Sequence, residues 1–276
     1  MPAPDVALLA DAARAAGRIA MGFWQADPEA WEKAAGAGPV TEADLAVDRM
    51  LKHELLAARP DYGWLSEETE DEAPARLAAE RVFIVDPIDG TRAFIAGEEG
   101  FCHALAVAER GRITAAAIYL PVRDELFTAT EDGPALLNGA PIRVTGAAAP
   151  EGAHALAVRQ TFDPAHWQGG RVPALTRGFR AALAWRLCLL AEGRTDAVLS
   201  LRRIWEWDLA AGDLIVTRAG GRVTDAAGAR VTYNTPGRRA PGLVAAAPLL
   251  HARLAGDLAW RAAEGEDPAP GKPAAR

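Results

Sequence analysis

Apolar positions near the start of the chain recur at three- and four-residue intervals. Leu8, Leu9, Ala12, Ala15, Ala16, Ile19 and Phe23 share one helical face, which predicts an amphipathic helix from Val6 to Phe23. A loop rich in Gly and Ala follows, through Gly36, Gly38 and Pro39. Thr41 is then placed to cap a second helix, with Asp44 in its first turn and Leu45, Met50, Leu51 and Leu55 on its apolar face. Between Tyr62 and Leu137 the pattern shortens to strand-like runs: Gly63 to Leu65, Val82 to Val85, His103 to Ala108, Ile113 to Leu120 and Glu125 to Ala129. Arg110-Gly111 and Asp132-Gly133 punctuate them as turns.

Gly146 to Gly152, rich in Ala, Gly and Pro, reads as a linker. Beyond it the pattern predicts a strand at Ala155 to Val158, a helix from about Ala181 to Glu192, a strand at Ala197 to Leu201 and a helix beginning near Trp207. An apolar run from Gly242 to Ala246 leads into a last helix, Leu249 to Ala263. The expected organisation is an α+β half over 1–150, an α/β half over 151–263 and a disordered, proline-bearing tail over 264–276.

Composition narrows the classes. A chain of 276 residues buries a large core without disulfides or a structural metal. A net charge of −7 argues against a nucleic-acid polymer as partner, since counterion release from phosphates needs a basic face. Cys102 and Cys188 stand far apart and form no CxxC pair, and no run of roughly 18 apolar residues offers a membrane span. A cytoplasmic protein is expected, and a homodimer is one assembly it allows.

Chemistry concentrates where the apolar run Val82-Phe83-Ile84-Val85 meets Asp86-Pro87-Ile88-Asp89-Gly90-Thr91. Two carboxylates around a proline, then a Gly-Thr pair suited to opening a helix, make a place for a cation on the carboxylates and an anion on backbone N–H groups. Read alone, Asp86-Pro87 and Asp89-Gly90 are equally good turn-formers. Ser66-Glu67-Glu68 sits upstream at the end of another apolar run, where the bland reading is a solvated cluster with Glu70, Asp71 and Glu72. Trp207-Asp208-Leu209-Ala210-Ala211-Gly212 begins a helix, where Asp208 suits the dipole whether or not it binds a metal.

Taken together in this order, the three motifs resemble those of the inositol monophosphatase superfamily, Mg²⁺-dependent and lithium-sensitive phosphomonoesterases with a layered αβαβα fold. The resemblance runs from about Thr41 to Gly220 and Gly221. It implies metal ligands at Glu67, Asp86, Asp89 and Asp208 and the carbonyl of Ile88, with two or three Mg²⁺ ions held among them. It further implies that Thr91, paired with Asp44, positions the attacking water, and that Gly90 and Thr91 N–H groups cradle a phosphate. An aspartyl-nucleophile phosphatase is the competing enzyme reading, but there the two aspartates stand two apart rather than three.

For substrate, Leu183 to Gly193 followed by Glu206 to Gly212 is most similar to the branch that cleaves adenosine 3′,5′-bisphosphate, with Arg186 where that branch has a lysine. Arg186 is expected either to grip a second phosphate or to be a surface helix residue. The glutamate that inositol-cleaving members place seven positions before the metal aspartate is Leu201 here, and Ala181 and Ala182 stand where the family has hydroxyl residues. Asp86 to Phe94 also resembles histidinol-phosphate phosphatases. Inositol-1-monophosphatase and a phosphometabolite-binding regulatory protein complete the alternatives. The five histidines are expected to be structural or exposed rather than catalytic, and Trp205 and Trp207 to pack or to shape a base pocket.

Overall fold

The computed structural model describes residues 4–26, 28–33 and 38–259. Helix α1 (Asp5–Phe23) is joined to α2 (Glu42–Ala58) through the short antiparallel pair β1 (Ala30–Glu32) and β2 (Pro39–Thr41). Both helices lie where the apolar spacing puts them. Thr41 caps α2 through a capping box, its hydroxyl accepting from Asp44 N while the Asp44 carboxylate accepts from Thr41 N.

The first sheet has seven strands, each beside the next in the chain: β3 (Gly63–Ser66), β4 (Arg81–Asp89), β5 (Cys102–Glu109), β6 (Arg112–Leu120), β7 (Glu125–Thr130), β8 (Leu136–Leu137) and β9 (Ala140–Pro141). The β3–β4 pair is parallel, crossing over through α3 (Ala73–Ala78), and the other neighbours are antiparallel. One expectation is corrected here. Asp86-Pro87 is no turn, because β4 runs on to Asp89 and absorbs the proline in a register shift between Asp86 and Asp89. Proline lacks the N–H that a ladder requires, and a bulge is where a sheet tolerates it. Gly90 (φ 98°) then turns the chain into α4 (Thr91–Ile95); a Cβ there would meet the Gly100 carbonyl at 2.6 Å.

In the second half β10 (His154–Leu156), β11 (Thr176–Gly178), β12 (Ala197–Ser200), β14 (Arg222–Thr224) and β16 (Leu243–Ala246) form a sheet in the order β11-β10-β12-β16-β14. The first three strands are parallel, and β16 and β14 join antiparallel. The sheet is therefore mixed. A separate pair, β13 (Ile204–Trp205) with β15 (Arg239–Ala240), lies ahead of helix α6 (Glu206–Arg218). Helix α5 (Leu183–Ala191) begins two residues later than predicted, and α7 (Pro248–Asp257) ends among the described residues. The expected continuation to Ala263 and the tail over 264–276 lie outside the described residues.

Three apolar clusters make five layers. One joins α1 and α2 to the near face of the first sheet through Leu9, Leu51, Phe83 and Leu105. The largest fills the space between the two sheets, where Ile84 and Ala106 meet Leu187, Leu190, Leu209 and Ile215 of α5 and α6, which meet Val198 and Ala245 in turn. The third packs Leu250 and Leu254 of α7 on Leu199 and Val244. The result is the layered αβαβα fold, with α5 and α6 sandwiched so that the start of α6 faces the end of β4. No helix among the described residues is long and apolar enough to cross a membrane.

Candidate active site

Glu67, Asp86 and Asp208 come from three elements and meet. Glu67 follows β3, where its N–H donates to the Val85 carbonyl at 3.3 Å and so continues the parallel pairing beside Asp86 on β4. Asp208 comes from the first turn of α6. One carboxylate oxygen from each lies within 4.8 Å of the others.

The electrostatics of that trio are severe. Burial, then the neighbouring Glu67, Asp89 and Asp208, push the Asp86 carboxyl well above the usual carboxylate range. Asp208 is driven the same way by burial and by Asp89 and Glu67. Asp86 Oδ1 is buried and has no hydrogen-bond partner. A buried acceptor without a donor, among crowded carboxylates and oxygen-only donors, fits a hard divalent cation.

Asp89 stands beside the trio with one oxygen engaged elsewhere: its Oδ2 accepts from Ala184 N at 2.6 Å. Ala181 and Ala182 carry no hydroxyl to cap α5, so Asp89 from β4 satisfies an N–H that the helix start leaves open. Burial raises the Asp89 carboxyl to about 6, against the lowering effect of that hydrogen bond and of Arg186.

Asp44 and Thr91 also meet. Asp44 Oδ2 accepts from Thr41 N at 2.9 Å and from the Thr41 hydroxyl at 2.5 Å, leaving Oδ1 facing the Thr91 hydroxyl at 3.3 Å. That hydroxyl is 3.1 Å from the Ile88 carbonyl, so its single proton chooses between two acceptors. Burial raises Asp44 to about 6, opposed by the Thr41 hydrogen bonds.

Arg186 is not a surface residue. It is 5 % exposed, with Nε donating to the Arg180 carbonyl at 2.6 Å, Nη2 to the Ala181 carbonyl at 3.1 Å and its guanidinium 4.6 Å from the Phe179 ring centroid. Two of its three nitrogens hold its own chain, which runs against the picture of a bidentate grip on a ligand phosphate.

Glu68 departs from the solvated-cluster expectation as well. Lys33 Nζ lies 2.6 Å from both Glu67 Oε1 and Glu68 Oε1, and the Glu68 side chain is 5 % exposed. Burial and Glu67 raise Glu68 to about 8 despite Lys33. Burial would lower the Lys33 pKa, but the two glutamates outweigh it and raise it. Asp71 pairs with the buried Arg76 at 2.7 Å instead of joining Glu67 and Glu68.

Three further residues support the site without having been read from the sequence. Asp48, one turn after Asp44 on α2, accepts from the Ser66 hydroxyl at 2.5 Å and the Thr69 hydroxyl at 2.6 Å, holding the turn that carries Glu67. Its i+4 spacing from Asp44 was the available signal. Glu206, 1 % exposed, accepts from Asn234 N at 2.6 Å, Thr235 N at 2.9 Å and the Thr235 hydroxyl at 2.5 Å, fixing a distant loop beside α6. Lys33 lies ahead of the motifs and carried no local signal.

Comparison with known proteins agrees with this geometry. The profile of the Inositol monophosphatase family matches residues 3–260. Over 202 residues the chain is 37 % identical to the inositol-1-monophosphatase of Rhizobium meliloti, covering 68 % of this chain and 73 % of that one. It is 35 % identical over 201 residues to the Nus factor SuhB of Xylella fastidiosa, covering 68 % of this chain and 70 % of the other. The crystal structure of extragenic suppressor protein suhB from Bartonella henselae superposes with a TM-score of 0.77 at 28 % identity, covering 90 % of this chain and 96 % of that one. With three carboxylates converging from β3, β4 and α6 in the layered fold, and a profile match over nearly its whole length, the chain belongs to the inositol monophosphatase family.

Proposed function

We propose that this protein is a Mg²⁺-dependent phosphomonoesterase acting on a small phosphorylated metabolite. The observation that carries the reading is the convergence of Glu67, Asp86 and Asp208 within 4.8 Å around a buried, unpartnered Asp86 oxygen. Those residues, with Asp89 and the Ile88 carbonyl, would hold two or three Mg²⁺ ions. Bound there, Mg²⁺ supplies Lewis acidity that makes water nucleophilic near neutral pH and offsets charge on the phosphoryl oxygens.

The chain's own groups handle the proton. The Thr91 hydroxyl orients a water, and Asp44 Oδ1 behind it receives the proton passed through Thr91 Oγ1. A carboxyl raised to about 6 is a base of suitable strength near neutral pH. Gly90 and Thr91 N–H groups face the phosphate, and no phosphoenzyme is formed.

Among substrates the finer proposal is adenosine 3′,5′-bisphosphate. Its support is the stacked pair Trp205 and Trp207, centroids 4.6 Å apart, directly before Asp208, together with Leu201 at the position where a ring-holding glutamate is absent. The name of the Rhizobium meliloti relative favours inositol 1-phosphate as the second reading. Action in a reducing cytoplasm suits the two buried free thiols, Cys102 and Cys188.

The test is phosphate release from adenosine 3′,5′-bisphosphate, inositol 1-phosphate, histidinol phosphate and fructose 1,6-bisphosphate, with and without Mg²⁺ and lithium. Release that needs Mg²⁺, falls with lithium and disappears in Asp89→Asn supports the enzyme. Undiminished turnover in Asp89→Asn, or a phosphoaspartate trapped on Asp86, sinks the mechanism. Preference for another ester replaces the substrate alone, and a family member that binds esters without turnover would be the regulatory protein instead.

A further inference from the structure

Three arginines flank the strand pair that leads into α6. Arg202 and Arg203 stand in the link from β12 to β13, both exposed. Across the β13–β15 pair Trp205 is in register with Arg239, whose guanidinium lies 3.5 Å from the Trp205 ring centroid. Trp205 in turn stacks on Trp207, the residue before Asp208. Sequence adjacency and strand pairing therefore bring three guanidinium groups to the entrance of α6, whose first turn carries Asp208.

This arrangement is held in place rather than left to solvent. Glu206 N donates to the Arg238 carbonyl at 2.9 Å, while the Glu206 carboxylate takes three hydrogen bonds from Asn234 and Thr235. From the other half of the chain, the buried Arg76 donates to Asn234 Oδ1 at 2.5 Å and to the Thr235 carbonyl at 3.3 Å. The loop that presents Arg239 is thus clamped from two sides, so little ordering is left to occur when a ligand binds.

We infer that Arg202, Arg203 and Arg239 form a receiving site for a second anionic group, phosphate or carboxylate, on the ester whose phosphoryl group sits at Glu67, Asp86 and Asp208. This rests on the phosphomonoesterase reading and names its substrate class: a metabolite with two acidic groups, not a neutral polyol monophosphate. Charge supports it. Arg239 is lowered by burial and then by Arg203 and Arg238, with Asp208 opposing. Burial lowers Arg186, and Arg202 is near enough to lower it further. Guanidinium groups take phosphate and carboxylate in bidentate fashion, which a single ammonium does not.

The experiment compares matched pairs on the full-length protein with Mg²⁺: adenosine 3′-monophosphate against adenosine 3′,5′-bisphosphate, and glycerol 3-phosphate against 3-phosphoglycerate. The first pair differs by a phosphate, the second by a carboxylate. The wild type is expected to favour the doubly acidic member of at least one pair in kcat/KM by about tenfold or more. Which pair responds identifies the second group. In Arg202→Gln/Arg203→Gln, and separately in Arg239→Gln, that ratio falls toward one, while Arg202→Lys/Arg203→Lys keeps an intermediate ratio. Hydrolysis of all four esters without discrimination, or a ratio untouched by the glutamine variants, overturns the arginine site and leaves the phosphatase standing. No Mg²⁺-dependent release from these or from p-nitrophenyl phosphate overturns both.

Discussion

Asp48 accepts the Ser66 hydroxyl at 2.5 Å, and through that contact helix α2 fixes the turn that carries Glu67. Ser66 Oγ is itself approached by Glu68 N at 3.4 Å, and Thr69 Oγ1 receives Trp64 Nε1 at 3.2 Å, so each hydroxyl directs its proton to the buried carboxylate. One helix face thus serves two tasks, Asp44 toward Thr91 and Asp48 toward Glu67. In Asp48→Asn one hydroxyl loses its acceptor and the turn loosens. Divalent cation affinity is expected to fall about tenfold, in the range typical for groups that orient a ligand. Mn²⁺ titration followed by electron paramagnetic resonance measures it directly, and an unchanged dissociation constant would count against the positioning role.

The 3.3 Å contact between Thr91 and Asp44 makes a second, kinetic prediction. If the pair acts as one proton path, Thr91→Val and Asp44→Asn each lower kcat by roughly 10²- to 10⁴-fold. The double variant then loses little more than either single one, while Thr91→Ser retains most turnover. Steady-state rates for the wild type and the four variants decide it; losses that multiply would mean that the two groups act separately.

How far the sequence carried can be traced in these same residues. The helix periods of α1 and α2 and the Thr41-x-x-Asp44 cap are local patterns, so they were legible. The supporting contacts are not local: Asp48 to Ser66 spans 18 positions, Lys33 to Glu67 34, Glu206 to Asn234 28 and Asp89 to Ala184 95. Nothing in the run Glu67 to Glu72 reveals that Lys33 folds over its start, so the run read as solvated. Pro87 read as a turn because its missing N–H breaks a ladder, and a bulge satisfies the same chemistry within a strand. The surface reading of Arg186 failed because periodicity cannot tell that a helix is covered on every side, as α5 is.

That burial gives a stability prediction at Gly212. Here α6 crosses α5 so closely that a Cβ would lie 2.8 Å from Leu187 Cβ, with Leu187 Cδ1 nearer still. Leu187 is fully buried between the sheets and has no free direction in which to move. Gly212→Ala gains helix propensity of up to about 1 kcal/mol but overpacks a rigid contact at about 1–3 kcal/mol, so net destabilisation is expected. Urea unfolding should give a lower midpoint for the variant. A midpoint equal to or above the wild type would mean that the helices separate at little cost.

His103 sets a pH dependence whose sign follows from its surroundings. It is fully buried, with Nδ1 2.5 Å from the Pro87 carbonyl, so Nδ1 carries the proton and Nε2 is left without a partner. Burial lowers its pKa to about 4 from an ordinary 6.5, with the Pro87 contact opposing. Between those values the unfolded chain binds a proton that the folded one refuses. Stability from this group is therefore full above pH 6.5 and lost as pH falls toward 4, a difference on the order of 3 kcal/mol. His103→Asn keeps a donor near Pro87 but does not titrate. Subtracting its urea-unfolding free energies from those of the wild type in EDTA should leave a curve that rises from pH 4 to 6.5 and is flat above. A flat difference across that window would show that His103 is not held neutral by the fold.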